Sequence, residues 1–486
     1  MQPLLLAHLV GRLVFLVGLC MLIPLAFALA TGDPTVRAFG LSAALVLTAG
    51  FALARIPLAE ELEARTAIAV VTLGWAAAGV AGALPFWFSG VFAHWTDALF
   101  ESVSGFTTTG ATVMTHIAAQ PRAILLWRSL LQWLGGMGII VLFVSVFPGL
   151  GIGSVQLFKA EVPGPAPEKL LPRVAESGRL LWGIYLALTA AAVVLLLLAG
   201  LDWFDAVNHG LTSVATGGYS TYDASVAAFA NPLAEWVLVL FMFLGGTNFV
   251  LQYRLFRLGD WRAVVADREF WTYTGMLLGA SLLVTLDLHR ETGAGVLACL
   301  RPAVFQAVSV MTTTGYTTAS YDRWPPLSQA VLFVLMWVGG SAGSTSGGPK
   351  VIRLLVLVKH GIKELNRLLH PRAVQVLRIG DRPVSEQVFA AVAGFVFLYL
   401  TLWFASVVVL AGLGLDLVTA ASAAIASLGN IGPGFGAIGP GHTFAGLSPA
   451  VKLYLALLMI IGRLEVLIVL VLFHPAFWER RVRRRV

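Results

Sequence analysis

Ten predominantly apolar stretches divide the chain, at about 12–30, 36–56, 66–88, 123–147, 178–200, 234–256, 270–289, 326–358, 386–412 and 449–474. An apolar helix needs about 20 residues to cross the hydrocarbon core of a bilayer, so the pattern predicts ten membrane spans. The first begins close to the N-terminus. It lacks a basic start followed by a small-residue cleavage site, and Pro24 interrupts its core, so it reads as a span and not a leader.

Shorter apolar segments recur between the spans, at 95–106, 203–214, 298–311 and 416–428. They are too short to cross and have the length of a re-entrant helix. Each runs into a Thr/Gly-rich turn: TTTGAT (107–112), ATGGYS (215–220), TTTGYT (312–317) and GNIGPG (429–434). Aligned on one glycine, the turns place Gly110, Gly218, Gly315 and Gly432 roughly 100 residues apart. Before that glycine stand Thr109, Gly217, Thr314 and Ile431, and before those Thr108, Thr216, Thr313 and Asn430. Self-similarity at a fixed period marks a repeat architecture. It divides the chain into a two-span domain (1–65) and four pore repeats, 66–150, 151–268, 269–384 and 385–486. The expected fold is all-α and integral to the membrane, with four span–short helix–turn–span repeats around a pseudo-fourfold axis.

Composition agrees and narrows the function classes. Hydrophobic residues make up 58% of the 486 and charged residues only 12%, about half the share usual in soluble domains. That excludes a soluble enzyme, a disordered chain and a disulfide scaffold; Cys20 and Cys299 lie far apart in separate apolar stretches. The net charge of +7 fits topology better than nucleic-acid binding. With a cytoplasmic N-terminus, only Arg37, Arg122, Arg128, Arg290, Arg301, Arg323 and Lys452 fall outside, and Arg463 lies within the last span. Cytoplasmic loops collect Lys and Arg in this way.

Non-helical backbone survives at membrane depth only where protein buries it or where it lines a water-filled cavity. Glycine permits positive φ, so successive carbonyls can aim at one axis. A ring of such oxygens replaces the hydration shell of a monovalent cation. The filter residues expected are therefore Thr108, Thr109, Gly110, Thr216, Gly217, Gly218, Thr313, Thr314, Gly315, Asn430, Ile431 and Gly432. Parallel repeats with turns on one side favour a pore; a proton- or sodium-coupled secondary carrier, which should show inverted repeats, is the alternative. Asp202, Asp205 and His209 share a short helix without a partner nucleophile, so no enzyme is expected.

The motifs SVSGFTTTGAT (102–112), ATGGYS, MTTTGYTT (311–318), GNIGPGFG (429–436), GGSAGSTSGGPK (339–350) and GRLE (462–465) carry a resemblance to the Trk/Ktr/HKT superfamily of potassium transporters, Trk-type membrane subunit. The resemblance spans nearly the whole chain. It implies K⁺ uptake across the cytoplasmic (inner) membrane, with both termini cytoplasmic. Glycine at all four filter positions implies K⁺ preference, GNIGPG being the most divergent turn. It also implies a homodimer with one pore per protomer and no cofactor. A cytosolic nucleotide-binding regulatory subunit would be a separate polypeptide, since this chain carries no Rossmann fingerprint.

The tract GGSAGSTSGG (339–348) should break the long stretch 326–358. A Walker A reading fails, because Pro349 precedes Lys350 and no Ser or Thr follows it. The resemblance makes Gly339, Gly340, Ser341, Gly343, Ser344, Thr345, Gly347 and Gly348 an intramembrane gating loop, and sets Arg463 in the pore beside it. GGTN (245–248) is a weaker hinge in the second repeat. Asp97 and Asp205 are expected to cap their short helices. Glu101, Asp223 and Asp322 are expected to lie close to the filters on the outer side, where carboxylates at the mouth raise local cation concentration. The C-terminal RRVRRRV reads as an anchor beside anionic lipid.

Overall fold

The structure, a computed structural model, describes residues 2–56, 63–138, 174–372, 375–380 and 382–478. Two long helices, α1 (Pro3–Thr31) and α2 (Val36–Ala54), open the chain as a hairpin. They meet through small residues: a methyl group on Gly50 would lie 2.5 Å from the Phe15 nitrogen. Such close backbone approach drives helix association where lipid supplies no hydrophobic force.

Thereafter long and short helices alternate. They are α3 (Ala64–Phe88), α4 (Trp95–Phe106), α5 (Arg122–Gly136), α6 (Val174–Leu198), α7 (Trp203–Val214) and the broken pair α8 (Pro232–Gly245) and α9 (Phe249–Leu258). The short α10 (Trp261–Ala266) leads to α11 (Arg268–Thr292), α12 (Val296–Met311), α13 (Pro326–Leu335) and α14 (Val351–Leu369). A two-residue antiparallel ribbon, Arg378–Ile379 with Arg382–Pro383, precedes α15 (Glu386–Gly412). The chain closes with α16 (Leu417–Leu428), α17 (Pro449–Arg463), α18 (Val466–Leu470) and α19 (Pro475–Trp478).

Among the described residues five helices are long and apolar enough to cross a membrane, and two bent pairs are so together: α8 with α9, bent by 105°, and α17 with Val466–Phe473, bent by 114°. Their outward residues are apolar too: Leu198 is 75% exposed and Val408 73%. In water such a surface aggregates; in lipid it is solvated.

Each of the ten apolar stretches contains helix, though not always unbroken. The stretch 326–358 is helical to Leu335 and again from Val351, with irregular backbone between. The bend at 246–248 follows the glycine pair, and Asn248 starts the new helix by accepting from Val250 N at 2.8 Å. The stretch 449–474, expected as one span, breaks at Leu464–Glu465. Glu465 takes φ 64° there, and its carboxylate meets Arg353 Nη2 at 2.6 Å. The turn thereby pairs a charge that a membrane interior does not tolerate alone. The end of the stretch 123–147, most of the loop 148–177 and the RRVRRRV run lie outside the described residues.

Candidate functional site

The short helices α4, α7, α12 and α16 each end at one of the four glycine-bearing turns. Their C-terminal halves are buried, so each aims the negative end of its dipole at the interior turn that follows. The turns share one backbone course. Thr108, Thr216, Thr313 and Asn430 are left-handed (φ 53°, 51°, 59° and 54°), and so, two residues on, are Gly110, Gly218, Gly315 and Gly432 (79°, 78°, 82° and 99°). A left-handed conformation costs a residue with a Cβ roughly 1–2 kcal/mol. Four such outliers at matching positions are strain of the kind held at functional sites.

The backbone N–H groups of these turns point back into the helices. Thr109 N donates to Ser104 O (2.9 Å), Gly217 N to Thr212 O (2.9 Å), Thr314 N to Ser309 O (2.9 Å) and Ile431 N to Ala426 O (2.8 Å). Left-handed residues alternating with ordinary ones turn successive carbonyls to the same side of the chain. The four turns then close on one another. A methyl group on Gly110 would strike Gly217 O; on Gly218, Thr314 O; on Gly315, Ile431 O; on Gly432, Thr109 O at 2.6 Å. First abuts second, second third, third fourth, and fourth first. Eight of the twelve residues singled out from the sequence, the four glycines with Thr109, Gly217, Thr314 and Ile431, make this closed circuit of contacts, each glycine against a carbonyl oxygen.

Cavities flank the ring. Where the chain leaves the turns, one of about 70 Å³ is lined by Gly110, Gly218, Gly315, Pro433 and Asp223, among others. Where the chain enters, one of about 100 Å³ is lined by Gly343, Ser346, Gly347, Lys350 and Arg463, among others. Residues 339–348 lie between this second cavity and the ring as irregular backbone. Gly347 N donates to Thr313 Oγ1 at 2.7 Å, Thr216 Oγ1 lies 3.2 Å from Thr345 Oγ1, and Ser341 N donates to Gly246 O at 2.9 Å. The tract is thus held by two turns of the ring and by the bend after α8.

Arg463, at the end of α17, reaches across this region. It donates to Thr345 O (2.7 Å) in the tract and to Gly135 O (2.6 Å) and Gly136 O (2.8 Å) at the end of α5. Glu465 faces Arg353 instead.

Several acidic residues serve otherwise than expected. Asp97 does not cap α4; its carboxylate pairs with Lys452 at 2.7 Å. The cap of α7 is Asp202, which accepts from Phe204 N at 3.1 Å, because a cap must precede the first helical turn. Asp205 lies inside that turn and accepts from Thr221 Oγ1 (2.6 Å) and Tyr222 OH (3.0 Å). Glu101, fully buried, is no mouth charge: it pairs with Arg128 at 2.8 Å and accepts from Thr112 Oγ1 and Val113 N at 2.9 Å each. Arg128 donates onward to Ser220 O at 3.1 Å and lies over the Tyr219 ring. This buried pair ties the first turn to the second, and sequence reasoning missed it because partners 27 residues apart leave no local signal. Asp223 does line the first cavity, and accepts from Ile117 N at 3.0 Å. Among the described residues no three His, Cys, Asp or Glu converge as metal ligands.

Known proteins match this chain along its length. The profile of the TrkH family, described as cation transport proteins, matches residues 33–272 and 297–480. The Trk system potassium uptake protein TrkH of Escherichia coli K12 is 40% identical over 477 residues, covering 97% of this chain and 98% of its own. Its counterpart from Halomonas elongata is 38% identical over 479 residues, with the same coverage. The crystal structure of the potassium transporter TrkH from Vibrio parahaemolyticus superposes with a TM-score of 0.89 at 36% identity, covering 99% of this chain and 100% of that one. Similarity at this level over nearly the whole chain makes it a member of the TrkH family of cation transport proteins.

Proposed function

We propose that this chain takes up potassium across the cytoplasmic membrane through a gated, K⁺-selective pore whose filter is the ring of four turns. The observation that carries the reading is ring closure: each left-handed glycine abuts a carbonyl oxygen of the next turn, the fourth returning to the first. A dehydrated K⁺ needs oxygen ligands to replace its water, and the turns offer backbone carbonyls while their N–H groups are spent on the helices. Four helix C-termini add negative potential where the cation is bare. The relatives' names, potassium uptake proteins, specify the ion.

In this reading the first cavity is the outer vestibule and the second the inner one. Residues 339–348 are the gate, hung on Thr216 and Thr313, and Arg463 is a positive barrier beside it. The two-span domain and four pore repeats, the cytoplasmic termini, the homodimer and a separate nucleotide-binding subunit on the cytosolic face complete the proposal. The test is ion flux into proteoliposomes with K⁺, Rb⁺, Na⁺ and Li⁺ compared. Uptake of K⁺ and Rb⁺ well above Na⁺ and Li⁺, without need of a proton gradient, is expected. Strict dependence on a proton or sodium gradient would move the chain to the carrier class.

A further inference from the structure

The four turns are not braced alike. Behind the first, Thr107 Oγ1 and Thr109 Oγ1 lie 2.7 Å apart, and behind the third, Thr312 Oγ1 and Thr314 Oγ1 lie 2.8 Å apart. Thr107 and Thr312 donate in turn to the helix carbonyls of Val103 and Val308, both at 2.7 Å. Each hydroxyl pair is a strut from helix end to turn. The second turn has Ala215 and Gly217 at these positions, so it has no hydroxyl to build one.

The side chain of Gln132, from α5, fills that place. It is fully buried; Nε2 donates to Gly217 O at 2.6 Å and Oε1 accepts from Tyr219 N at 3.0 Å. One amide thus grips the turn on both sides of Gly218. A methyl group on Gly217 would collide with the Gln132 amide, so the bare glycine and the intruding glutamine form one arrangement. Gly217 O is the very oxygen that a methyl on Gly110 would strike, which makes it part of the ring's inner contact. A carbonyl has two lone pairs; Gln132 takes one from behind and leaves the other to the ring.

We propose that Gln132 is a positioning residue for cation selection, setting the Gly217 carbonyl in place of the threonine strut used by the first and third turns. The proposal rests on the reading of the ring as the filter. It is tested on the full-length protein in proteoliposomes, by the ratio of K⁺ to Na⁺ uptake and the half-saturation for K⁺, normalised to monodisperse protein. Gln132→Met keeps volume and removes both hydrogen bonds; Gln132→Leu serves if Met fails to fold. Either lowers the K⁺/Na⁺ ratio about tenfold, the scale of two lost hydrogen bonds, and weakens half-saturation. The triple change Gln132→Gly, Ala215→Thr and Gly217→Thr, in which residue 132 also gives up the Cβ that would lie 2.9 Å from a Cβ at 217, rebuilds the hydroxyl strut and restores the ratio. A glutamine that merely packs would lower folded yield or maximal rate and leave the ratio intact, which overturns the proposal, as does a folded triple variant that stays unselective. Gly218→Ser is the control. If it loses selectivity while the Gln132 variants keep it, the Gln132 proposal fails and the filter stands; if it too keeps selectivity, the filter reading fails.

Discussion

Removing the positive charge of Arg463 is the perturbation that bears most directly on the proposed gate. Its guanidinium is a fixed positive charge, because arginine is not deprotonated in proteins. It spans the inner cavity, hydrogen-bonded to Thr345 O on one side and to Gly135 O and Gly136 O on the other. A K⁺ ion about 6 Å away is repelled by roughly 3 kcal/mol at an effective dielectric near 20. That corresponds to about a hundredfold in rate. The three carbonyl dipoles offset part of the charge, so about ten- to a hundredfold is the working range. Arg463→Ala removes the repulsion and the tie to Thr345 together, and both losses raise flux. Arg463→Lys separates them: it keeps the charge but lacks the planar fork that spans both sides. Its flux is expected to stay near wild type if repulsion dominates. The assay is Rb⁺ uptake into proteoliposomes, normalised to monodisperse protein. A fall in flux per folded molecule in Arg463→Ala would refute the barrier and leave Arg463 a structural brace.

Three further outcomes follow from the same geometry. Deleting residues 339–348 removes the contacts to Thr216 and Thr313 and should raise K⁺ flux in the uptake assay without changing ion preference. Glu101→Gln strips the charge from a fully buried pair with Arg128 and should cost about 3–5 kcal/mol, read as lower folded yield and thermal midpoint in detergent. Asp416 accepts from Thr419 N at 3.0 Å at the start of α16, so Asp416→Ala should cost about 1 kcal/mol. Hydrogen bonds from Thr419 hold its carboxyl below the usual carboxylate range. The cap's contribution is therefore complete above the unfolded value of about 4, and a pH series of thermal midpoints should show it lost only as pH falls further, through the folded value.

What the sequence disclosed was local. The four turns were legible because glycine and threonine mark non-helical backbone wherever they interrupt apolar helix, and the short helices were legible by length. The tract 339–348 announced itself by ten consecutive small residues. The break at Glu465 had no such run of small residues: only Gly462 precedes it, and Arg353, which pairs with Glu465 there, lies 112 residues away. The same holds for Lys452 with Asp97, 355 residues apart, and for Gln132 with Gly217. Partners chosen by tertiary packing leave no spacing to read. Asp205 failed as a cap for a finer reason. The first turn of α7 was located correctly, but capping needs the residue before it, Asp202, whose φ and ψ of −59° and 150° let its side chain fold back onto Phe204 N.

Ion selection by four sets of backbone carbonyls, held by the left-handed glycines, is the function proposed for the ring. Its most direct test is the K⁺/Na⁺ uptake ratio of wild-type protein beside single Gly110→Ser, Gly218→Ser, Gly315→Ser and Gly432→Ser variants. At each position φ is positive and an added Cβ meets a carbonyl oxygen of the neighbouring turn, so any side chain must displace that oxygen. A selective wild type and a reduced ratio in every variant are expected, with the first three most affected. Four folded variants that transport with the wild-type ratio would contradict it.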